Sequence, residues 1–356
     1  MADVYAYYYP GWVQNRKCDE WDCLKNASKY FSEHSIRVPS EFYYLDSNPQ
    51  VIDVQVALAK QHGIDGFIFC FYWDEGTLHM NEAFEYFLES DLDFKFSVMW
   101  ANRKPHSELP IPERDKRKEF YKPSSERDVA TSEDDCARLM GYLQKAFDDP
   151  RYAKVDGKPL FSIFSLPDFM PYFCESLDDL PDEHMKELFP GTHFVAIANY
   201  VESWIDKVDR LGVDALSSYV LLGDWRGEQV QSYAKQAWRS YCGWLYMKNV
   251  AQLPYYPSVT VGWDATPRSD YAYYQKEKPL CYPYSPILVG NTDQEIVKHL
   301  KRGLQWAEEE EAPYVVISSW NEWSEGHMLE PDGEHGAKRL KAVGKAVLDW
   351  KNKSIE

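Results

Sequence analysis

A single-domain (β/α)8 barrel, a TIM barrel, is the fold this chain predicts. Three observations predict it: eight strand-like apolar runs, helical patterns interleaved between them, and a length of 356 residues. Strand and helix in alternation call for a parallel sheet, and eight repeats call for its closure. An open doubly wound sheet would carry a glycine-rich GxGxxG turn after a strand, and none of these runs is followed by one. Neither a repeat nor a linker divides the sequence, so residues 1–356 read as one domain.

The runs are short, aromatic and β-branched, as buried strands are. The first, VYAYYY (4–9), leads to the helical pattern VIDVQVALAKQH (51–62). DGFIFCFY (65–72) leads to NEAFEYFLES (81–90), and FKFSVMW (94–100) to SEDDCARLMGYLQKAF (132–147). PLFSIFS (159–165) follows with DEHMKELF (182–189), then HFVAIAN (193–199) with ESWIDKVDRLG (202–212). DALSSY (214–219) pairs with QVQSYAKQAWRSYCGWLYMK (229–248), PSVTVG (257–262) with TDQEIVKHLKRGLQWAEE (292–309), and YVVISSW (314–320) with KRLKAVGKAVLDW (338–350). Two connections exceed plain loops: 101–130, rich in charge, after strand 3, and 263–291, rich in Tyr and Pro, after strand 7. Segments after barrel strands build the face that carries active sites, so both long βα loops are expected to wall a substrate groove.

A formal charge of −18 argues against nucleic acid and against anionic membrane as partners, since both would be repelled. No stretch reaches the roughly 20 apolar residues that span a bilayer. The opening MADVYAYYYPGW has no basic region ahead of its apolar run, so it reads as a first strand rather than a signal peptide. The seven cysteines are odd in number and scattered without a CxxC, which fits reduced thiols and a cytoplasmic protein. Nine histidines include neither His-x-His near the first strand end nor HExxH, so no metal and no cofactor is expected. Nothing in the pattern speaks to oligomeric state.

The chemistry concentrates in PYVVISSWNEWSEGHMLEP (313–331), where a strand runs into Glu322 and Glu325 beside Trp320 and Trp323. Cleaving an acetal needs one group to protonate the leaving oxygen and another to act as nucleophile or base; two carboxylates supply both. Tryptophan faces stack on the apolar face of a sugar ring. The same glutamate spacing also suits the first turn of a helix, where the dipole favours acids. Other strand ends bring further candidates to the same face: Tyr8 and Tyr9; Tyr72 and Trp73; Trp100, Asn102 and Arg103; Asn199 and Tyr200; Trp263, Asp264 and Arg268; and Asn321. Together they describe an aromatic cup with amide, guanidinium and carboxylate groups, suited to a carbohydrate substrate. Aromatics make up 16% of the chain, and an aromatic core would account for that figure equally well.

The strings LAKQHGIDGFIFCFYW, VMWANR, DDPRYAKVDGKPLF, VTVGWDATPR and ISSWNEWSEGHMLEPD resemble the WbsX-like proteins of polysaccharide loci, whose barrel is similar to glycoside hydrolase family 99, the endo-α-mannosidases. The likeness runs from AYYYP to LEPD, with NEWxEG its most specific part. It implies a metal-free (β/α)8 enzyme acting on an α-linked, mannan-like glycan, with Glu325 as general acid. Glu322 would be the base on a sugar 2-hydroxyl, giving a 1,2-anhydro intermediate and net retention. It further implies that Tyr8, Tyr72 and Trp73 line the donor-side subsite. Two strings depart from the family pattern where substrate is chosen: WANE stands here as WANR, with Arg103, and FYLPQFH as YYYPGWV. Two other classes stay open. One is a glycosyltransferase of surface-polysaccharide biosynthesis, although the Asp91-Leu92-Asp93 triplet precedes strand 3, away from the expected site. The other is a carbohydrate-binding barrel without catalysis.

Overall fold

Eight parallel strands make the barrel: β1 (Asp3–Tyr8), β2 (Gly66–Asp74), β3 (Lys95–Trp100), β4 (Lys158–Ile163), β5 (His193–Ile197), β6 (Ala215–Ser217), β7 (Ser258–Thr260) and β8 (Tyr314–Ser318). The computed structural model describes residues 1–356 apart from 14–18, 41–42, 106–108, 112–128, 130, 199–203, 221–223 and 354–356. From β1 to β6 each strand pairs with the next, and β7 pairs with β8. The last strand returns to the first through Asp3↔Tyr314 to Ala6↔Ile317. A parallel bridge between Leu216 and Tyr255, with Tyr256 N donating to Leu216 O at 2.8 Å, joins β6 to the approach of β7. The result is the (β/α)8 barrel, and the eight strand positions agree with the sequence reading to within a few residues.

Helices surround it where the apolar period is 3.6, with side-chain caps fixing their starts. Asn48 accepts from Gln50 N ahead of α1 (Pro49–Gln61), whose Pro sits in the first turn. Ser132 caps α3 (Glu133–Asp148) through Asp135 N, following α2 (Glu82–Glu89). After these come α4 (His184–Leu188), α5 (Tyr233–Ala251), α6 (Asp293–Glu309) and α7 (Lys338–Lys353). The expected helix over 202–212 is different. Its described part holds only a 3₁₀ turn at Ile205–Lys207, although Trp204, Ile205, Val208 and Leu211 all face the core. A short apolar stripe is satisfied by 3₁₀ turns as well as by α-helix, so the spacing named the buried face and not the helix type.

Strand parity decides what reaches the barrel mouth. On β2, Phe69 and Phe71 pack on Phe84 of α2, and Trp73 gives its indole N–H to Asp135 of α3 at 3.0 Å. Cys70, one residue away, turns inward and reaches the Tyr219 hydroxyl at 3.8 Å. On β1, Tyr7 points inward, its hydroxyl donating to Ser218 O at 3.2 Å, whereas Tyr8 donates outward to Asp46 and Gln55 at 2.9 Å each.

The connection from β1 to α1 is longer than either of the two loops singled out from sequence. Together with Val51 of α1, Trp323 and Met328 it builds a separate small core: Tyr9, Trp12, Trp21, Leu24 and Tyr44. Within it lies a short helix, Glu20–Lys25, capped by Asp19. The loop after β3 meets the loop after β7 where Ile111 N donates to Arg268 O at 2.8 Å. Most of 101–130 lies outside the described residues.

Candidate active site

Glu322 and Glu325 leave β8 in a tight arrangement. Asn321–Glu322 pairs antiparallel with His327–Met328, a 3₁₀ turn spans Trp323–Glu325, and Gly326 closes it at φ 69°. A Cβ at Gly326 would sit 2.9 Å from Asp264, so the turn after Glu325 fits a glycine alone. Asn321 anchors the turn to β1: its Oδ1 accepts from Tyr9 N at 2.7 Å, and its Nδ2 donates to Tyr9 O at 2.9 Å.

One guanidinium joins the two carboxylates. Arg268 Nη2 donates to Glu322 Oε1 at 2.7 Å, and Nη1 donates to Glu325 Oε1. The remaining donors go to Glu20 Oε2, from Nη2 at 2.8 Å and from Nε at 3.3 Å, and to the Tyr282 hydroxyl at 3.1 Å. Glu20 also accepts from the Tyr9 hydroxyl and from Ser324 Oγ. Three glutamates thus converge on one arginine beneath the barrel mouth, drawn from the loops after β1, β7 and β8.

The two motif glutamates differ in their surroundings. Glu322, 3% exposed, accepts from the Tyr219 hydroxyl at 2.8 Å. Glu325, 11% exposed, accepts from Tyr282 at 2.8 Å and has His327 Nε2 3.5 Å away. Burial pushes the Glu322 carboxyl well above its ordinary range, and the neighbouring Glu325 and Glu20 charges add to that against Arg268 and Tyr219. Burial also works to raise Glu325, but Arg268, His327 and Tyr282 more than reverse it and hold the group at about 2. Of the pair, Glu322 is the carboxyl held toward its protonated form and Glu325 the one held toward its anion. That is the reverse of the order implied by the family resemblance.

The expected substrate contacts divide by parity. Tyr72 lies inward: burial first, then the charges of Cys70 and Glu322, raises its hydroxyl. Arg103 stands at the rim over Phe164, half-exposed and paired with Asp168, its Nε donating at 3.0 Å. Phe164 in turn packs edge-on against Tyr219. Trp263 stacks on His327 with centroids 5.6 Å apart. Trp263, Trp323, Gly326, His34 and Asp264 line part of a cavity of about 260 Å³ whose lining includes neither Glu322 nor Glu325. His34 Nδ1 accepts from Tyr30 N at 3.0 Å, so Nε2 carries the hydrogen and donates to Asp264 at 2.6 Å.

Several expectations are corrected. Tyr8, Trp73, Trp100 and Trp320 face the helix layer and are buried there: Trp100 lies between Phe169 and Phe189, and Trp320 against Phe67. Asn102 spends both ends of its amide on the Ser165 backbone at 2.9 Å, and Asn321 is likewise committed to Tyr9. Trp323 gives its indole N–H to Glu330 at 2.8 Å within the small core. Tyr8, Trp73 and Trp100 turn away because adjacent strand residues alternate between barrel interior and helix layer, whereas Asn102, Asn321 and Trp323 lie past the strand ends and are held by the hydrogen bonds just given. Asn199 and Tyr200 lie outside the described residues.

Three participants went unread in the sequence: Glu20, Tyr219 and Tyr282. The length of the loop after β1 was the available signal for Glu20. Tyr219 and Tyr282 carry none beyond following strands six and seven.

The sequence profile of the family described as "Glycosyltransferase WbsX" matches residues 16–343. Two strains of Xanthomonas campestris pv. campestris carry relatives named "Uncharacterized protein WxcX", 23% identical over 350 residues. The match covers 92% of this chain and 46% of the relative, so the chain spans about half the length of these curated relatives. Among solved structures, a GH99 endo-alpha-mannosidase from Bacteroides thetaiotaomicron is similar at a TM-score of 0.60 and 14% identity, covering 100% of both chains. A protein described as "Glycoside hydrolase-like protein" reaches 0.58 at 13% identity, covering 97% of this chain and 94% of its own.

Proposed function

The chain belongs to the WbsX family, and we propose that it is a glycoside hydrolase cleaving an α-linked, mannan-like oligo- or polysaccharide at the Glu322–Glu325 pair. The observation that carries this reading is the pair itself: two carboxylates on one turn, bridged by Arg268, each accepting from a tyrosine hydroxyl, with one carboxyl pushed up and the other held down. One group to protonate and one to accept a proton is the minimum that glycoside cleavage asks for. Glu325 protonates the leaving oxygen, and Glu322 draws the proton from the sugar 2-hydroxyl, which closes on the anomeric carbon with retention after water attack. For these roles a proton passes from Glu322 to Glu325 as the glycan displaces water.

Substitution to Gln separates the roles. Glu322→Gln and Glu325→Gln each lower cleavage of unactivated α-glycans by about 10²-fold or more. With an aryl glycoside whose leaving group needs no proton, Glu325→Gln recovers most of its activity and Glu322→Gln does not. Recovery in Glu322→Gln instead would swap the two assignments, and full activity in both would remove the pair from catalysis.

The family description favours a second reading, a glycosyltransferase acting with a nucleotide sugar. Asp91 and Asp93 do not supply a donor site for it: both are exposed, they precede β3, and Asp93 is paired with Lys60 at 2.6 Å. Glycan growth on addition of a nucleotide sugar, with no cleavage in its absence, would establish the transferase.

A further inference from the structure

Glu20 is the part of the cluster that the proposed cleavage does not use. It comes from the loop after β1, is fully buried, and lies among donors from three other places. Tyr9 reaches it from the end of β1, Ser324 from the β8 turn, and Arg268 twice from the loop after β7. Gly11 makes room for the Tyr9 ring, since a Cβ there would sit 2.1 Å from it. A carboxylate so enclosed cannot approach a sugar.

We infer that Glu20 is a positioning residue: it fixes Arg268 between Glu322 and Glu325 and takes up the guanidinium charge, so that the pair keeps one proton to share. The inference rests on the reading of that pair as the reacting groups. An arginine facing only the two glutamates would neutralise one and leave the other readily ionised, with no acid in the site. A third carboxylate on the same guanidinium restores the excess of negative charge that holds the proton. The remaining titratable groups around the cluster are Tyr219 and Cys70 toward Glu322, Tyr282 and His327 toward Glu325, and Tyr72 across the pit. Burial raises the hydroxyls of Tyr9, Tyr72 and Tyr219 and the Cys70 thiol, and it lowers His327, so all of these stay uncharged near neutrality. Glu20 is then the carboxylate that Arg268 grips through two of its nitrogens.

The bland alternative is a buried ion pair that merely pins the β1 loop, and pH separates the two. In Glu20→Gln one negative charge is removed beside the pair, so both glutamates hold their protons less tightly. Both limbs of the kcat/KM profile should move to lower pH by about one to two units. Glu20→Asp keeps the charge but shortens the reach, guards against a folding failure, and should give a smaller shift in the same direction. A uniform loss of activity with both limbs in place, in either variant, would overturn the inference. A second readout needs no turnover: carboxyl ¹³C NMR titration of labelled glutamates, with Glu322→Gln assigning the signal. It should show the Glu322 carboxyl ionising at lower pH in Glu20→Gln or Glu20→Asp than in the wild type. If the wild type cleaves no glycan, the hydrolase reading fails while this titration still decides the role of Glu20; an unmoved Glu322 signal would end it.

Discussion

Arg268 has all three of its nitrogens engaged within the protein, by Glu20, Glu322, Glu325 and Tyr282. It therefore has no donor to offer an acidic sugar, and the three carboxylates around it repel one. A neutral ring is expected at this position, and glycans bearing a uronate there should be cleaved much more slowly than their neutral counterparts in a side-by-side assay. The same arithmetic of charge makes Arg268 costly to remove. Arg268→Met leaves three buried carboxylates without a counter-ion, a loss of about 3–5 kcal/mol in urea unfolding at pH 8. The deficit should shrink as pH falls toward 5, because the carboxylates then take up protons. A deficit that stays constant with pH would show that packing rather than charge is at stake.

Glu330 provides a second test at this scale. It accepts from Tyr44 at 2.7 Å, Gln55 at 2.7 Å and Trp323 at 2.8 Å, yet burial outweighs these bonds and lifts its carboxyl to about 7. A folded value above the unfolded one means the native state holds the proton more tightly. The resulting stabilisation is complete below about pH 4.5 and is lost as pH rises to 7, with an upper bound of about 3 kcal/mol. Glu330→Gln should flatten the stability profile over that window, and an unchanged slope would assign the effect elsewhere.

At the scale of elements, strands and helices were legible and strand faces were not. A strand covered on both sides reads as a continuous apolar run, because the barrel interior and the helix layer are both buried. YAYYY therefore announces β1 without saying that Tyr7 and Tyr9 turn toward the site while Tyr8 turns to Asp46 and Gln55. The same silence assigned Trp73 and Trp100 to a sugar when their partners are Asp135 and a pair of phenylalanines. Glu322 and Glu325 were legible because a strand end is where barrel chemistry gathers. Glu20 was not, since its role depends on a long loop folding back across more than two hundred residues to Arg268. Parity makes a direct prediction. Tyr8→Phe should lower stability by about 1 kcal/mol through a lost buried hydrogen bond and leave kcat nearly intact. Tyr9→Phe, on the next residue, should disturb the pH profile through Glu20. Equal effects of the two on catalysis would contradict the assigned faces.

For the whole molecule, a formal charge of −18 bears on which ligand the mouth admits. A neutral oligosaccharide approaches without electrostatic cost, whereas a nucleotide sugar brings its diphosphate toward a negative chain and a net-negative cluster, with every donor of Arg268 already in use. The double variant Glu322→Gln/Glu325→Gln would hold ligand without turning it over. A ligand that binds only the folded state stabilises it by about 2.7 kcal/mol at a hundredfold excess over Kd. Thermal unfolding of this variant should therefore rise with neutral α-linked oligosaccharides in proportion to the logarithm of their concentration, and it should stay level with nucleotide sugars at low and at moderate salt. Salt separates the causes: a nucleotide sugar excluded by long-range charge alone would begin to stabilise the protein as ionic strength grows. Stabilisation by a nucleotide sugar already at low salt would mean that a phosphate site exists despite the charge, and the transferase reading of the family would then take precedence.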